Sequence, residues 1–393
     1  MRFLPFPAAI AFGAVLGAGP AMAAECGGDF GTFVQGLKEE AISRGHAVAD
    51  VNRFFAQVRS DPSVLRADRA QAVFQKPFTE FAQHLISANR MSTGRAKAQA
   101  LDKVLSRIEG EYGVSRGILL AFWALETDFG GFQGDFNTLN ALATLAHDCR
   151  RPALFRPQIF AALTLYEQGD FDPARTAGAW AGEIGMVQML PQDILDSGVD
   201  GDGDGRILLQ TSAPDALMSG GRMLQRLGWR AGEPYLQEVL LPQDMDWSQT
   251  GLRSTKSGAE WAALGVVPRQ GQLAATLPAN ILLPQGRGGP AFIAYPNFRV
   301  LFEWNQSFTY VLTAAYFATR LEGAPVMRAT DPAPGLAAAQ MKQLQQKLAA
   351  RGYDVGAIDG ILGAGTRAAV QDAQQKLGLP ADAWPTRELL DRL

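Results

Sequence analysis

Cysteine and histidine are scarce here, at two and three residues in a chain of 393. His46, His84 and His147 stand far apart, with no metal-ligand spacing and no His-Glu-x-x-His pair, so all three read as structural or solvated. Charge of one sign is also missing: 36 Lys and Arg face 39 Asp and Glu, a net charge of −3 without long charged runs. That balance argues against nucleic acid as a partner. Alternating β-branched runs are nearly absent, and no repeat of solenoid length is evident. The apolar stretch Ala8 to Leu16 is short and lies among Gly and Pro, which argues against a membrane span or membrane anchor.

What is present begins with an export signal. Arg2, the apolar stretch and Ala21-Met22-Ala23 give residues 1–23 the layout of a signal peptide cleaved after Ala23, placing the mature chain in the periplasm. Cys26 follows closely, but Glu25 occupies the place where lipid attachment wants a small residue, so a lipoprotein is rejected. An even count in an exported chain predicts a Cys26–Cys149 disulfide, which would tie the mature N-terminus to the first domain. Two free buried thiols are the alternative.

From Phe30 to about Tyr166 the pattern is one of amphipathic helices, including Phe33–Ser43, Ala98–Tyr112 and Ile159–Gln168. Residues 233–300 are more irregular, with strand-like pieces such as Ala291–Tyr295, and Phe308–Arg320 is a last strong helix. The Pro- and Gly-containing stretch 323–336 reads as a linker, and residues 337–393 as a compact helical unit. Within Ala121 to Gly130, Glu126 sits beside the apolar stripe of Ile118, Leu119, Phe122 and Leu125, just before Gly130-Gly131. Apolar neighbours and the negative end of a helix dipole both raise a carboxyl's pKa, which suits a general acid. Taken alone, the pattern also fits a capping or salt-bridged glutamate.

Four further segments stand in order with Glu126: Asn137 to Arg151, Gly178 to Pro191, Asp200 to Arg206, and Ala291 to Val300. Together they resemble the exported lytic murein transglycosylases of the B type, glycoside hydrolase family 103, over residues 27–322. The resemblance implies a mainly α (α+β) fold: a lysozyme-like catalytic domain with an inserted subdomain. It implies that Glu126, in Trp-x-x-Glu-Thr, is the single acid/base acting on peptidoglycan glycan strands between N-acetylmuramic acid and N-acetylglucosamine. One carboxyl would protonate the leaving oxygen and then deprotonate the muramoyl 6-hydroxyl, leaving a 1,6-anhydro end. No cofactor is required by that chemistry, and cell-wall enzyme complexes are a further class of partner.

By the same resemblance, Gly178 to Pro191 shapes the cleft wall, with Gln188 offering amide groups to a sugar and Trp180 an aromatic face. Tyr295 and Asn297 match a substrate-side Tyr-x-Asn-Phe motif, followed by Asn305 and Ser307. The sequence departs from the family at Glu183, Met189 and Gln192, where Ala, Phe and Ser are usual. Glu183 reads as a solvated turn residue; facing the cleft, it would be a second carboxylate able to support hydrolysis. Asp200, Asp202 and Asp204, with the Arg206 carbonyl, occupy positions 1, 3, 5 and 7 of an EF-hand-like calcium loop. Its last ligand position holds Thr211, so Ca2+ binding competes with a metal-free turn.

Residues 337–393 are similar to the three-helix peptidoglycan-binding domain, through Gln343 to Leu348, Gly352-Tyr353, Ile358-Asp359-Gly360 and Gly365-Thr366-Arg367. Leu344, Leu348, Ile361, Val370, Leu377, Leu379, Leu389 and Leu390 are its expected core, with Thr366 as a helix cap. Two rival readings remain: a muramidase that uses water, and a non-catalytic peptidoglycan-binding or scaffold protein.

Overall fold

A computed structural model describes residues 26–70 and 76–393; the export signal at 1–23 lies outside the described residues. Seventeen α-helices are present among the described residues, against one five-stranded antiparallel sheet and a two-residue strand pair. No helix among them is long and apolar enough to cross a membrane.

The helix Arg116–Thr127 is the centre of the large domain. Every residue from Gly117 to Ala124 is buried, so it is wrapped on all sides rather than along one stripe. It packs against Phe308–Leu321, which is buried over most of its length as well. The central helix stops two residues earlier than the glycines suggest. Asp128 takes the left-handed conformation at φ 50°, and its N–H bonds to Ala124 O.

Other elements differ at their edges. Residues 98–112 are not one helix: Ala88–Ala100 ends at Leu101, which also begins Asp102–Tyr112. The bend lets Leu105 and Ile108 reach the core. Phe30–Ser43 starts earlier than its periodicity indicates because Asp29 caps it, and Pro152–Gln168 starts at a favourable proline.

Residues 236–294 carry the sheet, in the spatial order Lys256–Ser257, Pro278–Leu282, Ala291–Ala294, Leu236–Leu240, Val267–Pro268. Register pairs Ile281 with Ile293 and Glu238 with Phe292. One face closes a small core around Trp261, Ile281, Ile293 and Tyr295.

Three helices, Ala338–Ala349, Ala364–Lys376 and Arg387–Arg392, make the C-terminal unit. Leu344, Leu348, Val370, Leu389 and Leu390 form its core, with Leu377 and Leu379 packed at its margin; Ile361 stays outside it. Thr366 is not a cap. Gly363 precedes the helix, and the buried Thr366 hydroxyl donates to Val355 O. This unit is docked on the large domain. Gln371 Nε2 donates to Trp247 O and Thr250 O, Arg367 donates to Pro284 O, and Arg253 pairs with Asp372. Burial without an ion-pair partner pulls the Arg367 guanidinium down to about 9, while the Phe308 ring lies 4.5 Å from its centre. The connecting stretch lies along the body, with Met327 N donating to the Tyr316 hydroxyl and Arg328 N to Glu238.

Candidate active site

Glu126 is the penultimate residue of the central helix, at the floor of a cleft of about 410 Å³. Trp180, Glu183, Gln188 and Met189 line one wall, and Glu303, Trp304 and Asn305 the other. Glu126 Oε1 accepts from Tyr310 Oη at 2.5 Å and from Trp304 Nε1 at 3.1 Å. Those donors are held by packing. The Trp304 ring stacks on Phe122 at 4.4 Å between centroids, and Ser307 caps the helix that carries Tyr310. Asn305 Oδ1 in turn accepts from Ser307 N.

Desolvation is the largest influence on Glu126 and raises its carboxyl to about 7. The Tyr310 and Trp304 bonds oppose that shift by stabilising the anion, and the Glu183 charge adds to it. A group poised there is protonated in mildly acid water yet ionises readily, which suits successive acid and base steps. Tyr310 is raised as well: burial and the neighbouring Glu126 charge hold its phenol well above the usual range, so it stays a donor.

Thr127 fixes the wall to the floor. Its hydroxyl donates to Met186 O at 2.7 Å and accepts from Gly130 N. The wall segment folds back on itself through reciprocal bonds between Ile184 and Met189. Two of its glycines are required by packing within the protein. A side chain at Gly185, φ 80°, would run into Leu209, and one at Gly182, φ 89°, into Leu142.

The structure brings Glu126, Trp180, Glu183 and Gln188 together in the cleft. Gln188 is held at φ 54°, and its amide nitrogen is committed to Gly185 O at 2.7 Å and Gln133 O at 3.3 Å. Its carbonyl oxygen is therefore the end left for a ligand. Glu183 is not a solvated turn residue: its Oε2 is sealed from water and accepts no hydrogen bond. Burial raises its carboxyl, opposed by backbone N–H groups of Glu183 and Ala181 and by the charge of Arg151.

Tyr295 and Asn297 do not reach the cleft. Tyr295 is buried in the sheet core, donating to Gln237 Oε1 and accepting from Ala274 N. Asn297 accepts from Arg230 N and donates to the carbonyls of Arg230 and Glu233, clamping the loop before the sheet. Trp304 and Tyr310 are the residues that sequence reasoning missed. Both sit in helical apolar patterns where an active-site aromatic looks like any core aromatic.

Asp200, Asp202 and Asp204 can each bring a carboxylate oxygen within 4.8 Å of the others. Asp200 also accepts from the N–H groups of Gly203, Asp204 and Gly205, which a metal would have to share. The Arg206 guanidinium turns to Gly169 O and Asp170. Cys26 and Cys149 are joined in a disulfide with Cα atoms 5.1 Å apart.

A deep cleft with one hydrogen-bonded, desolvated glutamate at a helix end defines a glycan-cleaving enzyme of the lysozyme-like class. Residues 29–319 match the transglycosylase SLT domain, and the chain belongs to that family; residues 337–393 match the putative peptidoglycan binding domain. The membrane-bound lytic murein transglycosylase B of Escherichia coli (strain K12) is 26% identical over 302 residues, 73% of this chain and 82% of that protein. SltB3 from Pseudomonas aeruginosa in complex with NAG-NAM-pentapeptide superposes with a TM-score of 0.85 at 35% identity, over 93% of this chain and all of that one. Its complex with NAG-anhNAM-pentapeptide gives 0.83 at the same identity, covering 93% and 99%.

Proposed function

We propose that this protein is a lytic murein transglycosylase that cleaves the bond between N-acetylmuramic acid and N-acetylglucosamine in peptidoglycan, with Glu126 as its acid and base. The carrying observation is the environment of Glu126: desolvated, raised to about 7, and bonded by two fixed donors. Glu126 first gives its proton to the glycosidic oxygen, and the departing saccharide leaves with it. The muramoyl acetamido oxygen closes on the anomeric carbon as that bond breaks, giving an oxazolinium ion without a protein nucleophile. The Glu126 carboxylate, held by Tyr310 and Trp304, then removes the proton of the 6-hydroxyl. That oxygen attacks the anomeric carbon, reopening the oxazolinium and forming the 1,6-anhydro ring. Glu126 ends protonated, and no water is consumed.

Related proteins support the substrate: the two SltB3 complexes hold a muropeptide and an anhydromuropeptide. The C-terminal unit would hold wall polymer, and its docking by Gln371 and Arg367 gives that second contact a fixed position relative to the cleft. Residues 1–23 and the disulfide support work in an exported, oxidising compartment.

The test is digestion of purified peptidoglycan by the protein and by Glu126→Gln, with products resolved by mass spectrometry. Anhydromuramoyl ends, lighter than reducing ends by one water, should form and fall roughly a hundredfold to ten-thousandfold in the variant. Reducing ends instead would mean hydrolysis, and wall binding without products would mean a scaffold.

A further inference from the structure

The C-terminal unit touches the helix that carries Tyr310. Arg367, 9% exposed on the first turn of Ala364–Lys376, sets its guanidinium 4.5 Å from the ring centre of Phe308, the first residue of Phe308–Leu321. Its Nη2 donates to Pro284 O at 2.8 Å and its Nη1 to Leu283 O at 3.4 Å, while Nε is buried without a partner. Asp382, whose charge acts on it, is already taken by Gln374 Nε2, Trp384 N and Arg287 N. A buried cation so placed costs stability. Docking has other supports, since Gln371 and the Arg253–Asp372 pair tie the same helix down.

We propose that Arg367 is a positioning residue for the acid: through the Phe308 ring it fixes the first turn of Phe308–Leu321, and with it the Tyr310 phenol that donates to Glu126. The inference rests on the lytic transglycosylase reading above. Phe308 and Tyr310 stand two residues apart in one capped turn, where Ser307 Oγ accepts from Tyr310 N at 3.3 Å. The Tyr310 bond to Glu126 Oε1 is 2.5 Å, and a hydrogen bond that close weakens when the turn shifts. A cation is drawn to the face of a desolvated ring, so the guanidinium holds Phe308 from one side. Phe308 and Arg367 also border a cavity of about 140 Å³ between the units, which gives the ring room to move once the guanidinium is gone. The titratable groups around Glu126 are Glu183, Asp193 and Glu303 in the cleft and Tyr310 beside it, with Arg226 behind Asp193 and Arg90 acting on Tyr310. All belong to the large domain, so the C-terminal unit acts on the acid by position and not by charge.

The experiment compares wild type, Arg367→Met and Phe308→Leu, each also in a Tyr310→Phe background, with Arg253→Ala as a second break in the docking. Two quantities are followed against pH on a soluble peptidoglycan fragment of two disaccharide units: kcat/KM for anhydro-product release, and a carbon-detected NMR titration of the Glu126 carboxyl. In Arg367→Met the weakened Tyr310 bond should move the alkaline limb and the titration up together by roughly half a pH unit, with kcat severalfold lower. Phe308→Leu should do the same without any change of charge, and it carries the test should Arg367→Met not fold. Neither substitution should add a shift once Tyr310 is Phe, and Arg253→Ala should leave both curves in place. Unmoved curves, whatever the melting temperature, would overturn the proposal and leave Arg367 a docking residue. A shift that persists in the Tyr310→Phe background would overturn it as the field of a lost charge, and an equal shift in Arg253→Ala as a general effect of docking. A wild type that makes no anhydro product would fail the parent reading instead, and the NMR titration would still decide this one.

Discussion

Tyr310 donates its phenolic proton to Glu126 although 184 positions separate them in sequence. The bond stabilises the ionised form of the acid, so removing it should raise the acid further. Tyr310→Phe keeps the ring and its stacking with Phe122. A hydrogen bond to a charged group contributes about 1.5–3 kcal/mol, so the alkaline limb of kcat/KM should move up by roughly one pH unit while kcat falls about tenfold. An unmoved limb would mean that the tyrosine only packs.

Glu126 also ties stability to pH. Its folded value of about 7 lies above the ordinary 4.5, so the folded chain holds this proton more tightly than the unfolded one. The resulting stability is complete below about 4.5 and is lost as pH rises through about 7. Glu126→Gln escapes that loss. Its melting temperature should gain on wild type across that interval, measured by calorimetry at several pH values.

The Cys26–Cys149 bridge spans 123 positions and joins the start of the described chain to the helix-rich core. Gly27 N also donates to His147 O beside it. Closing so long a loop stabilises by about 4–5 kcal/mol in the chain-entropy model. Urea unfolding with and without reductant should show a difference in unfolding free energy of that size; equal midpoints would remove the bridge from the stability account.

Asn297 is a test of structure against recognition. Asn297→Ala leaves the Arg230 N–H and two carbonyls without their partner, at a cost of roughly 2–4 kcal/mol. Melting should fall while KM of the folded fraction stays unchanged. A raised KM at unchanged melting would return Asn297 to the substrate side.

Calcium should bind the Asp200–Asp204 loop weakly, because its last ligand position is Thr211 and its carboxylates already accept backbone N–H groups. Millimolar calcium should raise the melting temperature of wild type but not of Asp200→Asn, and chelation should leave turnover intact. Turnover lost to chelator would make the ion a requirement.

Glu126 was legible because its signal is local: an apolar helical run, a carboxyl at its end, and a stop. Cys26 and Cys149 were legible by number, and the order of the five segments carried the family. Helix limits at Leu101 and Asp128 were not, since one non-glycine residue can take the bend when the surrounding contacts favour it. Tyr295 and Asn297 show the reverse error. Their motif lies at the start of a helix beneath the sheet, and only packing reveals that both side chains turn inward.

What the sequence by itself determined is therefore an outline: the family, a candidate carboxyl at the end of an apolar helix, and the presence of a second unit. Local periodicity and ordered motifs are enough for that, because each is written in neighbouring residues. The tertiary structure alone decided who stands around the acid. Trp304 and Tyr310 reach Glu126 from distant helices, Glu183 lines the cleft with one carboxyl oxygen sealed, and Gln371 and Arg367 dock the C-terminal unit. Desolvation and hydrogen-bond partnership belong to the assembled cleft, and no stretch of chain carries them before it folds.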